Sequence, residues 1–137
     1  MNLLGKIPKN YIPIIEFGIK HLFSYQIIPY LIFEFKFKKS LNVLGNAAIT
    51  EFNLKNKPRE FLIQIKKNQE IEETIKTIFH ELTHCKQFAY NDLNPECSMW
   101  RNETINIFEY NHEDLPWEIE AEEVSKQLLE KYYANLD

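Results

Sequence analysis

Residues 68–90 carry a pattern that a helix with one buried side satisfies: Ile75, Ile78, Phe79 and Leu82 recur at three- and four-residue intervals, and Phe88 follows after the motif. Within that stretch stands His80-Glu81-Leu82-Thr83-His84. Positions i and i+4 of a helix lie one above the other, so His80 and His84 project side by side while Glu81 sits about 100° around the axis. Two imidazoles so arranged offer two nitrogens to one zinc ion, with the Glu81 carboxylate facing an open coordination position. A solvated surface helix would not place Ile78-Phe79 beside the motif and Leu82 inside it. Asn68 is the expected N-cap, Glu70, Glu72 and Glu73 put negative charge where the helix dipole favours it, and the helix is expected to end near Tyr90.

The remaining segments supply surfaces for that helix to pack on. Residues 11–25 read as a first helix, with Ile15, Ile19, Leu22 and Phe23 at helical spacing and Pro13 in its first turn. Residues 31–38 read as a strand, alternating through Phe33, Phe35 and Phe37. A second strand is expected over 43–52, a turn over 53–59 around Pro58, and a third strand over 61–66. Residues 91–114 show no clear period and are expected to be mostly irregular. Pro116, with Asp114 as a cap, opens a last helix through Ile119, Val124, Leu128 and Leu129 to about residue 134. The expected fold is α+β: an N-terminal helix and a three-stranded sheet on the motif helix, an irregular segment, and a C-terminal helix rich in glutamate.

At 137 residues, 45% hydrophobic and 14% aromatic, the chain is expected to form one domain over 1–137. A net charge of −4 gives no global basic footprint for nucleic acid, and the lysines from Lys36 to Lys67 read as solvated faces of strands and turns. Over 11–35 the longest unbroken apolar run, 27–33, falls far short of a membrane span, and the N-terminus lacks the pattern of a secretory signal. A cytoplasmic protein is expected, with no nucleic-acid or membrane partner. Cys85 and Cys97 are too few for a disulfide scaffold or a four-thiolate ribbon, and Cys85 reads as a core thiol. Trp100 and Trp117 read as packing residues.

A catalytic zinc takes three protein ligands and keeps one position for water, so the two histidines need a third partner. Glu118, Ala121, Glu122 and Ser125 fall on one face of the last helix. Ala121 allows close approach to the motif helix, Glu118 then ligates the metal, and Glu122 accepts a hydrogen bond from the far ring nitrogen of a ligand histidine. Glu120, His112, Glu113 and Glu109 compete for the third position.

The pair of motifs His80-Glu81-Leu82-Thr83-His84 and Glu118-Ile119-Glu120-Ala121-Glu122 resembles the gluzincin metallopeptidases, and the chain's size resembles the single-domain minigluzincins. The resemblance spans roughly 30–130 and implies a zincin-like fold, Zn2+ on His80, His84 and Glu118, Glu81 as general base, and a peptide or protein substrate. It also implies an edge strand that binds extended peptide, with Asn46 and Ala47 in the place of the family's Asn-Ala pair, and a Tyr or His donor to the oxyanion, for which Tyr110 and His112 are candidates. Three rivals are a regulatory peptidase similar to the ImmA-like enzymes, an SprT-like DNA-linked peptidase, and a non-catalytic protein that binds zinc for stability. The acidic balance and the two cysteines speak against the SprT-like reading.

Overall fold

In the computed structural model, which describes residues 1–52 and 57–136, the chain is α+β, with three α-helices and a mixed four-stranded sheet. Strand β1 (Asn2–Leu4) is followed by helix α1 (Ile12–Leu22), strand β2 (Ile32–Lys38), strand β3 (Gly45–Phe52) and strand β4 (Pro58–Lys66). The motif helix α2 (Ile71–Ala89) comes next, then a short hairpin of β5 (Met99–Trp100) and β6 (Glu103–Thr104), and helix α3 (Pro116–Ala134). The sheet order is β1-β2-β4-β3, with β1, β2 and β4 parallel and β3 antiparallel to β4.

Alternation in β2 and β4 builds the core. Phe33 pairs with Phe61 and Phe35 with Ile63, and all four turn to one face, where Ile15, Ile19, Ile78, Phe79 and Leu82 bury against them. Helix α1 packs on α2 across Gly18, where an added Cβ would fall 2.9 Å from Leu82 Cδ1 and 3.0 Å from Phe79 Cδ1. The helix bearing the two histidines is thereby fixed on its apolar side by both sheet and helix. No helix among the described residues is long and apolar enough to cross a membrane.

Several expectations need correction. The sheet has four strands, not three: Asn2–Leu4 is too short to show a period and gains its strand state by pairing with Ile32, Phe33 and Glu34. The first helix is shorter than 11–25, opening after a 3₁₀ turn at Lys9–Tyr11. The third strand reaches back to Pro58, a position where a missing N–H is tolerated. Of the turn read over 53–59, residues 53–56 lie outside the described residues. Asn68 is not the cap of α2: it turns the chain at φ 65°, and Glu70 is the N-cap, its carbonyl accepting the first bond from Thr74 N at 2.9 Å.

At the other end of α2, Asn91 at φ 61° stops the helix, with Asn91 N donating to Phe88 O and Asp92 N to Gln87 O. Arg59 Nη1 donates to the terminal Ala89 carbonyl at 2.9 Å. Residues 91–114 are mostly irregular, as expected, but they hold the short β5–β6 hairpin. Arg101 and Asn102 both take positive φ in the two-residue turn of the hairpin, and the Asn94 side chain accepts from Ser98 N and Met99 N. Asp114 does not cap α3, since it lies in a 3₁₀ turn and Leu115 holds the cap position without a side-chain bond. Ile119 faces out, and α3 instead buries Trp117, Ala121, Ser125 and Leu128.

Candidate metal centre

Helices α2 and α3 meet where the side chains are smallest. Ala121 and Ser125 are fully buried, and this close approach carries Glu118, one turn before Ala121, to the two histidines. Glu118 Oε1 lies 3.0 Å from His80 Nε2 and 3.2 Å from His84 Nε2, and Glu118 Oε2 lies 3.1 Å from His84 Nε2. The ligand atoms of His80, His84 and Glu118 all fall within 4.8 Å of one another, so the group could hold a metal ion. The donor set fits zinc: two imidazole nitrogens and one carboxylate oxygen converge from two helices, on side chains only 11–21% exposed.

The two histidines are supported differently. His84 Nδ1 lies 2.8 Å from Oε1 of Gln87, which is fully buried and donates through Nε2 to Trp117 O at 3.0 Å and to Glu120 Oε1 at 3.2 Å. His80 Nδ1 faces Glu122 Oε2 at 3.8 Å, beyond hydrogen-bond distance, while Lys76 Nζ takes Glu122 Oε1 at 2.7 Å. The expected support of a histidine by Glu122 is therefore only a near approach. The tight partner is Gln87, which the sequence reading missed. The available signal was its place at i+3 from His84, the spacing at which helix side chains meet.

Electrostatics follow from burial and this carboxylate–imidazole cluster. Burial pushes the Glu81 carboxyl above the ordinary range, against the opposing pull of His84 and His80. Burial alone would lower His84, but its hydrogen bond to Glu118 and the negative charge of Glu81 outweigh this and lift it to about 9. Burial also opposes ionisation of Glu118, yet the hydrogen bonds from His80 and His84 hold it well below the usual carboxylate range. Burial raises both thiols, with Glu118 adding to the effect at Cys97, so neither cysteine is poised as a thiolate ligand. Both cysteines are free.

The cluster lies in a cleft of about 570 Å³ between α2, α3 and β3, and Asn46, Ala47 and Glu81 line it. Among the described residues β3 is bonded only to β4, which leaves its other edge open beside the cleft. Gly45 sets the closeness of strand and helix: a Cβ there would fall 2.7 Å from Thr77 Cγ2 and 3.2 Å from Glu81 Cγ.

Of the two oxyanion candidates, His112 stands at the rim, 78% exposed, with Nε2 3.5 Å from Glu118 Oε2. Tyr110 does not line the cleft. Among the competitors for third ligand, Glu120 is engaged by Gln87 and Arg101, Glu113 lies on the cleft wall, and Glu109 is exposed in a 3₁₀ turn. Trp100 and Trp117 are buried against each other, ring centroids 6.3 Å apart, as packing residues. Scanned against protein-family models and compared with curated proteins and solved structures, the chain matches none of them.

Proposed function

We propose that the chain is a zinc-dependent metallopeptidase of zincin-like architecture, resembling the minigluzincins, with His80, His84 and Glu118 as ligands. The observation that carries this reading is the convergence of His80 Nε2, His84 Nε2 and the Glu118 carboxylate with Glu81 on the same cleft wall. A zinc ion on such a donor set supplies a Lewis acid that polarises a carbonyl and lowers the pKa of water toward about 7.

The chain's own groups do the rest. Glu81, raised by burial, accepts a proton from the attacking water and delivers it to the departing amine. The open edge of β3 at Asn46 and Ala47 pairs with the backbone of an extended peptide, fixing it beside Glu81 with little dependence on side chains. His112, at the rim, is the better placed donor to the oxyanion, and Tyr110 is set aside on its position.

Digestion of a peptide library by zinc-loaded protein, beside its Glu81→Gln variant, tests the activity. Glu81→Gln is expected to keep zinc and fold while losing about 10²-fold or more in turnover. Equal cleavage by both proteins contradicts the role of Glu81. Stoichiometric zinc with no cleavage of any peptide favours a zinc-stabilised binding protein instead.

A further inference from the structure

Four groups form an unbroken hydrogen-bonded chain from the surface to one of the ligand histidines. Arg101, in the turn of the β5–β6 hairpin, bonds through Nη2 to Glu120 Oε2, and Glu120 Oε1 accepts from Gln87 Nε2 at 3.2 Å. The same Gln87 nitrogen donates to Trp117 O at 3.0 Å, and Gln87 Oε1 lies 2.8 Å from His84 Nδ1. Arg101 is itself held over the Trp100 ring, 4.6 Å from its centroid, and lies 3.9 Å from Asp92.

The chemistry of these groups leaves one consistent set of directions. A peptide carbonyl only accepts, so Trp117 O requires the amide nitrogen of Gln87 on its side, and the Glu120 carboxylate requires the same. The amide oxygen must then face His84. That oxygen also only accepts, so a proton belongs on His84 Nδ1, which leaves Nε2 to donate to the Glu118 carboxylate in the metal-free chain and to offer its lone pair where a metal takes that proton's place.

We propose that Gln87 is a positioning residue that fixes the Nδ1–H tautomer of His84, and that Arg101, acting through Glu120, helps hold the Gln87 amide in the required direction. The consequence for metal binding rests on the reading that His84 is a zinc ligand. The proton on Nδ1 does not, because the hydrogen bond to Gln87 that holds it is present in the metal-free chain.

The test combines long-range ¹H–¹⁵N NMR of the His84 ring in metal-free protein with zinc affinity by competition against a chromogenic chelator. Wild-type His84 is expected to show the Nδ1–H tautomer in its neutral form. Gln87→Met, which keeps the side chain's length and removes its hydrogen bonds, is expected to abolish that preference and weaken zinc binding about 10- to 100-fold. Arg101→Ala and Glu120→Ala are expected to weaken it by less. A folded Gln87→Met with an unchanged tautomer and zinc affinity within twofold of the parent overturns the proposal.

If Gln87→Met does not fold, the double variant Arg101→Ala/Glu120→Ala, which alters side chains at or near the surface, is read by the same two measurements. An unchanged ring signature and affinity in it overturn the proposal equally. If wild type takes up no zinc, the metal reading fails, while the ring signature still decides the role of Gln87.

Discussion

Around His84 each polar atom fixes the next: Gln87 faces Nδ1, Trp117 O and Glu120 orient Gln87, and Arg101 reaches Glu120 from the hairpin. Around His80 the arrangement is looser, with Glu122 3.8 Å from Nδ1, nearly half exposed and drawn toward Lys76. Both rings turn Nε2 to the same Glu118 carboxylate. One histidine is thus aimed by buried hydrogen bonds, while its neighbour has only a partly exposed ion pair nearby. The contrast follows burial: His84 is buried, where an unpaired polar group is costly, and His80 is the more exposed of the two, where the cost is smaller.

Removing each ring in turn gives the largest contrast. His84→Ala leaves Gln87 Oε1 buried without its partner and is expected to destabilise the metal-free chain by about 1–3 kcal/mol more than His80→Ala does. Thermal or urea unfolding in the presence of a chelator measures the difference, and equal losses would erase the distinction between the two sides.

A pH series comes next. If zinc binds as proposed it displaces the proton that Glu118 and Glu81 hold on His84, so affinity is expected to rise by about tenfold per pH unit from neutrality until His84 titrates near 9. The stabilisation that this charged His84 gives the metal-free chain has the opposite trend. It is complete below about 6.5, the ordinary histidine value, and disappears as pH rises through about 9. Metal-binding isotherms between pH 6 and 9 check the sign, and a flat affinity would show that His84 carries no proton to displace.

The smallest effect is expected on the His80 side. Lys76→Ala or Glu122→Ala should change zinc affinity by less than about tenfold, and the change should shrink in high salt, because the pair is partly exposed and screened. A larger, salt-independent loss would give Glu122 the same standing as Gln87.

What the sequence revealed divides along similar lines. The helix with His80 and His84, the alternation through Phe33, Phe35, Phe61, Ile63 and Ile65, and the face carrying Glu118 and Ala121 were legible because period and spacing are local properties. The existence of β1 was not, since its three residues become a strand only through pairing with β2. Nor was the hairpin legible, as Arg101 and Asn102 adopt positive φ without a glycine signal, and Arg101 is held by Asp92, Glu120 and Trp100. Asn68 invited reading as a cap because asparagine serves both caps and left-handed turns, and here the turn prevails. Gln87 was passed over because its spacing from His84 is visible in the sequence while its partners, Trp117 and Glu120, lie thirty and more residues away.

The most direct test of the account is the metal content of the purified protein, measured by elemental analysis beside Glu118→Ala and His84→Ala. The account predicts one zinc per chain in the parent and its loss from both variants, by more than the roughly 100-fold weakening that loss of a hydrogen-bonding partner alone brings. A parent that takes up no zinc, or variants that retain it in full, would contradict the assignment of His80, His84 and Glu118 as a metal centre.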